Sequence, residues 1–247
     1  MTAPGFYVIF WREMLAIRKK FWKFLSGSLV MPVLYLVTFG WGVGGNMRVG
    51  GGTYLEFVLP GIIALSAMNN SFNGVATTLN ISKLYYKTIE EILVSPVSPW
   101  DIALGRVLAG CVRGMFSALL LIALGSILHV GIRFDLMFMA VLFLTTFAFG
   151  SLGVLAAMIT KSHEDMANFS NVVILPMAFL SGTFFSPTHL PEPFASIIMA
   201  YPLTHASLSL RAIAAGADAP VASLAALVFY AALFFVLGGL TVKRLEI

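Results

Sequence analysis

The chain has 247 residues, of which 59% are apolar and 11% charged, against roughly 45–50% and about 25% in a typical soluble domain. A water-soluble fold of this length could not hide so much apolar surface, so the composition excludes that class and points to an all-α polytopic membrane protein. The net charge of +4 comes from basic residues at the ends of apolar runs, which suits membrane flanks rather than nucleic acid, and the lone Cys111 excludes a disulfide framework.

Residues 1–23 do not read as a secretory signal, because Arg12, Arg18, Lys19, Lys20 and Lys23 follow or interleave with aromatics. Phe6, Phe10, Met14, Ile17 and Phe21 share one helical face and Arg12, Lys19 and Lys23 oppose it, which predicts an amphipathic helix in the membrane interface, with anionic lipid headgroups as its partners. Long apolar runs then predict six transmembrane helices: 24–47, 57–82, 99–129, 136–160, one starting at 166, and 221–242. Each of the first two exceeds the ~20 residues that a crossing needs. Arg106 and Arg113 fall in the early turns of the third span, roughly 10 and 21 Å from Pro99 at about 1.5 Å per residue, within snorkelling reach of the cytoplasmic headgroups or a partner. With the N-terminus inside, twelve Lys and Arg fall on inner segments and three (Arg48, Arg133, Arg211) on outer ones. That split satisfies the positive-inside rule and places both termini in the cytoplasm.

Two connections stand out. Over 81–94, Ile81, Leu84, Tyr85, Ile89 and Ile92 form one stripe while Lys83, Lys87, Glu90 and Glu91 oppose it, predicting a short amphipathic helix. Ser95-Pro96-Val97-Ser98-Pro99 stops it, and Ser98 as N-cap, Pro99 at the first helical position and Asp101 three residues after the cap start the next span. The 186–217 connection holds four prolines and two apolar pieces too short to cross, which predicts short re-entrant or interfacial helices between spans five and six, divided at Pro202 and ended at Gly216.

The run TIEEILVSPVSPWDIALGR (88–106) resembles the cytoplasmic segment of ABC transporter permeases of the type-2 export family, whose members export polysaccharides, lipo-oligosaccharides and drugs. The resemblance extends over the whole chain as a single transmembrane domain, 1–247, more loosely through LSGTFFSP (180–187) and YPLTH (201–205). It implies that 83–98 is a coupling helix docking on a separate nucleotide-binding ATPase subunit, with Lys87, Glu90, Glu91, Pro96, Ser98 and Pro99 as docking candidates. It also implies that the outer helices help cap a translocation path in a bacterial or archaeal inner membrane.

Other chemistry is sparse. His163-Glu164 begins like HExxH, but Ala167 stands where the second His would bind zinc, so 163–165 reads as a polar cytoplasmic loop. Ser181-Gly182 with His205 lacks the pattern of a nucleophile and its base. Gly40-xxx-Gly44 and Gly110-xxx-Gly114 match the close-packing pattern of membrane helices, a common one, with chance or intramolecular packing as the expected reading. Asn69, Asn70 and Asn73 lie inside the second span, where they must bond other helices or line a polar path. No span carries an acid at its centre and no Gly precedes a Lys, so neither ion coupling nor a Walker A loop powers this chain from within. No metal or cofactor site is expected. The reading is a permease subunit driven by a separate ATPase and completed by a second copy or a paralogue; the alternative is a non-transporting assembly or receptor subunit that docks a cytoplasmic partner.

Overall fold

The computed structural model describes residues 4–43, 48–49, 52–86, 97–185 and 191–244, and nearly all of them are helical. Helix α1 (Gly5–Lys19) ends at Lys20, whose backbone (φ −117°, ψ 25°) leaves the helical region, and α2 (Phe21–Tyr35) begins at the next residue. The first apolar helix therefore starts three residues before the expected 24, and it continues as a π-helix over Leu36–Val43. A two-residue antiparallel ladder, Arg48–Val49 against Gly52–Thr53, precedes α3 (Tyr54–Leu84). The early start of α3 has a local cause. The Glu56 N–H donates to Thr53 Oγ1 (3.3 Å) and the Thr53 N–H donates to Glu56 Oε2 (3.1 Å), a closed capping box.

Helix α3 runs to Leu84, so the first residues of the amphipathic helix expected over 81–94 belong to the long helix instead. Residues 87–96, with Lys87, Glu90, Glu91 and Pro96, lie outside the described residues, as do Gly44 and 186–190. Helix α4 (Pro99–Ile127) starts as expected, with Pro99 in its first turn and Ser98 as cap. The Ser98 hydroxyl accepts from Trp100 N–H (3.3 Å) rather than from Asp101, whose carboxylate lies against Gly5 of α1. Helix α5 (Leu136–Ile159) is capped by Asp135, which accepts from Phe138 N–H at 2.8 Å.

The fifth apolar segment departs from expectation. It is a helical run in three pieces: α6 (His163–Phe169), a π-helix over Ser170–Ile174, and α7 (Leu175–Leu180). Residues 163–165 are not a loop but its first turn. Ser162 Oγ accepts from Asp165 N–H (3.0 Å), and Asp165 Oδ2 accepts from Lys161 N–H (3.0 Å). Two short helices follow, α8 (Phe194–Met199) and α9 (Pro202–Ala214), divided at Pro202; α9 ends where Gly216 takes φ +81°, a conformation that favours glycine. The last helix is α10 (Val221–Lys243).

Among the described residues, five helical stretches are long and apolar enough to cross a membrane: 21–38, α3, α4, α5 and α10. Helix α3 is the least apolar of them and the most buried, and its Ser66, Ser71 and Asn80 are buried against other helices. Helices α4, α5 and α9 pack around it, α1 lies along α4, and α10 packs on α5. Gly110 and Gly114 are part of that packing. A Cβ at Gly110 would strike the Val75 side chain, and one at Gly114 would strike Thr146 and the Ala67 carbonyl. This patch joins α4 to helices of its own chain.

Candidate functional site

Between α2, α3 and the 163–180 run lies a cleft of ≈440 Å³. One face of α3 supplies Ser66, Asn69, Asn70 and Asn73, a spacing of three, four and seven that places all four on a single stripe. Opposite stand Ser170 and Asn171 from the π-helix, and Gly27 and Ser28 from α2. Helix α2 is therefore one wall and a locally widened helix the other. The rim is apolar: Met31 on one side and Leu175 on the other are both more than half exposed.

The three asparagines divide. Asn70 is held in a polar node: its Oδ1 accepts from Ser28 Oγ (2.9 Å), and its Nδ2 donates to the Ser66 carbonyl (3.0 Å) and to Ser117 Oγ (2.9 Å). Ser66 and Ser117 share a further hydrogen bond. Asn70 thus ties α2, α3 and α4 together at the back of the cleft. Asn69 is half-buried and Asn73 exposed, one turn apart on the cleft side. Asn171 is exposed across from them.

A second charged cluster escaped the sequence reading. Glu13 of α1 is buried and meets two arginines of α4: Arg106 Nη1 at 2.5 Å and Arg113 Nη2 at 3.3 Å. Arg106 does not snorkel to headgroups; its side chain is 2% exposed. Arg113 also donates to the Gly74 carbonyl of α3 (2.9 Å). The face of α1 that carries Phe6, Phe10, Met14 and Ile17 is half-buried, with Ile9 and Glu13 buried beside it. That face meets α4, not lipid alone.

Three more side chains fasten the ends. Lys83, expected on an exposed polar face, reaches α5 and donates to the Met158 (2.7 Å) and Thr160 (2.9 Å) carbonyls, a cation at a helix C-terminus. His163 stacks on Tyr85 with ring centroids 5.0 Å apart, joining the end of α3 to the start of α6. Arg211 of α9 donates to the carbonyls of Phe57 (3.0 Å) and Gly182 (3.0 Å) and lies 3.8 Å over the Phe57 ring. Burial draws its guanidinium down to about 10, which leaves it charged at neutral pH. His205 Nδ1 pairs with Ser223 Oγ (3.4 Å), not with Ser181. The nucleophile and base of a hydrolase are therefore not assembled there. Among the described residues no three His, Cys, Asp or Glu side chains gather as a metal ion requires.

Several long apolar helices around a buried, partly polar central helix define a polytopic membrane protein. The family model for ABC-2 type transporters matches residues 4–215. The inner membrane transport permease YadH of Escherichia coli (strain K12) is 34% identical over 184 residues, 71% of this chain and 70% of its own length. Nodulation protein J of Rhizobium meliloti (strain 1021) is 33% identical over 223 residues, 85% of this chain and 81% of its own. Nodulation protein J of Bradyrhizobium diazoefficiens is 28% identical over 245 residues, 95% and 91% of the two chains. The chain belongs to the ABC-2 type transporter membrane family, as the resemblance at 88–106 implied. It is a permease-type membrane subunit of a transporter, in a family whose ATPase activity lies in a separate subunit.

Proposed function

We propose that this chain is the membrane half of an ATP-driven exporter and that its asparagine-lined cleft is one wall of the export path. The observation that carries the reading is polar side chains at an apolar rim. Asn73 and Asn171 are exposed on facing helices, in a cleft whose lining also carries exposed Met31 and Leu175. An amide facing hydrocarbon has no partner, so such residues belong against water, substrate or another polypeptide. A second copy or a paralogue set on this rim covers the apolar residues and closes a polar path between the two clefts. Asn70 then serves the wall itself, holding three helices together, while Asn69 and Asn73 face the cargo.

The remaining parts of the reading fit one arrangement. The 163–180 run is the fifth of six crossings; its 18 residues extend about 27 Å, close to the ~30 Å hydrocarbon core. Six crossings return the chain to its starting side, with both termini in the cytoplasm and α8 and α9 on the outer face. By analogy with the inner membrane relative, the membrane is the bacterial inner membrane. A nucleotide-binding ATPase docks on 83–98, using Lys87, Glu90, Glu91, Pro96, Ser98 and Pro99. The cargo class is polysaccharide, lipid-linked or drug-like.

The test is a double variant, Asn69→Leu with Asn73→Leu, reconstituted with the ATPase subunit in liposomes. It keeps the Asn70 node intact, so the expected result is normal yield, normal assembly and normal ATP hydrolysis, with export reduced at least tenfold (about 1.4 kcal/mol at a barrier). Unchanged export would remove the cleft from the path.

A further inference from the structure

We infer that the junction of α1 and α2 is a site for an anionic phospholipid, with the headgroup on a bowl of cations and one acyl chain in an adjoining apolar groove. The bowl is a cavity of ≈280 Å³ lined by Arg18, Lys19, Lys20, Phe21, Trp22 and Lys23. It forms where the helix breaks at Lys20, which brings the basic last turn of α1 next to the basic first turn of α2. Four cations within six residues repel one another and call for a counter-ion. Among the described residues none of the four has an ion pair, nor has Arg12. Glu13, the one carboxylate on α1, is already held by Arg106 and Arg113.

The groove is a separate cavity of ≈390 Å³ between α1, α4 and α5, lined by Phe10, Leu108, Val112, Phe116, Leu119 and Phe143 together with Cys111 and Met115. Its lining side chains are apolar apart from two sulfurs. One ring pair links the two linings. Phe116 of the groove meets Phe21 of the bowl edge-on, with centroids 5.9 Å apart, and Phe24 backs it at 5.5 Å. A cationic bowl beside an apolar groove on membrane helices matches a molecule with an anionic head and a long apolar tail. An acidic protein surface or a free phosphate would use the bowl and leave the groove idle. Trp22, 78% exposed at the bowl, has the amphipathic ring that favours the headgroup level. This inference does not depend on the export path, since lipid binding is read without any transport.

The experiment is native mass spectrometry of the purified permease, released from nanodiscs that contain equal phosphatidylglycerol and phosphatidylcholine. Retained phosphatidylglycerol is expected to exceed phosphatidylcholine by about tenfold, the scale set by a few basic residues at an anionic surface. Replacing Arg18, Lys19, Lys20 and Lys23 together by Gln should erase the preference, whereas Lys19→Arg with Lys20→Arg and Lys23→Arg should keep it. Filling the groove with Val112→Trp or Leu119→Trp, cations untouched, should cut retention of long-chain phosphatidylglycerol several-fold. Millimolar inorganic phosphate should not compete. Equal retention of both lipids by the unaltered protein overturns the site. So does a preference that survives groove filling (a diffuse charge contact only), or one that phosphate displaces. If the Gln variant keeps its lipid but no longer copurifies an ATPase subunit from cells that retain one with the unaltered protein, the bowl is a protein-docking surface and the inference is wrong.

Discussion

At the scale of single residues, the buried charges decide more than the exposed ones. Glu13 with Arg106 and Arg113 places one anion between two cations away from water, and Arg106 Nε and Nη2 have no hydrogen-bond partner among the described residues. Removing one member of a buried pair leaves its partner uncompensated, at a cost of about 3–5 kcal/mol, while replacing the whole group by apolar side chains is often neutral. Glu13→Gln should therefore lower the thermal midpoint sharply in detergent, and Glu13→Leu with Arg106→Met and Arg113→Leu should restore most of it. A midpoint unmoved by Glu13→Gln would show that the cluster is solvated rather than buried. Composition and spacing made both arginines visible, yet gave them to headgroups or a partner. Their true neighbour lies 93 and 100 positions away in sequence, on a helix whose approach to α4 no local pattern encodes. The asparagine stripe was legible because its spacing is local to α3. Which asparagine would bond and which would face the cleft was not, since Ser28 and Ser117 come from other helices.

At the scale of elements, long apolar runs gave their helices to within a few residues, and two of the misplaced starts fall at capped ends. Thr53-x-x-Glu56 and Ser162-x-x-Asp165 are capping patterns readable in the sequence; a boundary drawn from hydropathy alone passes over them. The broken fifth segment was less accessible, because a π-helix leaves no clear mark in the hydrophobic pattern. The bend between α3 and α4 combines described and undescribed parts. Ser98 and Pro99 start α4, and the proposed docking residues Lys87, Glu90, Glu91 and Pro96 precede them. If this stretch docks an ATPase, reversing Glu90 and Glu91 to Lys sets like charges against a basic partner surface, which costs several kcal/mol at an interface. Pro96→Ala with Pro99→Ala should let helix propagate through the bend and misdirect the docking face. Both variants should reach the membrane in normal amounts, fail to copurify the ATPase, and fail to export. Normal copurification and normal export by both would reduce the stretch to a surface loop.

At the scale of the whole molecule, the proposed topology turns on the crossing of the 163–180 run. Five long helices alone would leave the two termini on opposite sides; a sixth crossing brings them to the same side. The charge distribution favours the latter, because only with an even number of crossings do the twelve basic residues at 1–23, 83–113, 161 and 243–244 share one face. Packing agrees with it. His163 stacks on Tyr85 at the same end of the bundle where Lys83 caps α5, so the run starts beside the close of both α3 and α5. It ends near Gly182 and Thr183, whose carbonyls accept from Arg211 close to Phe57, near the start of α3. The run therefore extends from one end of α3 to the other, as a crossing helix must. A single cysteine at Thr188 should then react with a membrane-impermeant maleimide added to sealed right-side-out vesicles, and one at Ser95 should react only after the vesicles are opened. The native Cys111 is buried in α4 and adds little background. Reaction of Ser95→Cys in intact vesicles would invert the map. Protection of both positions would mean that 163–180 turns back without crossing, and the cleft beside it would open to one side only.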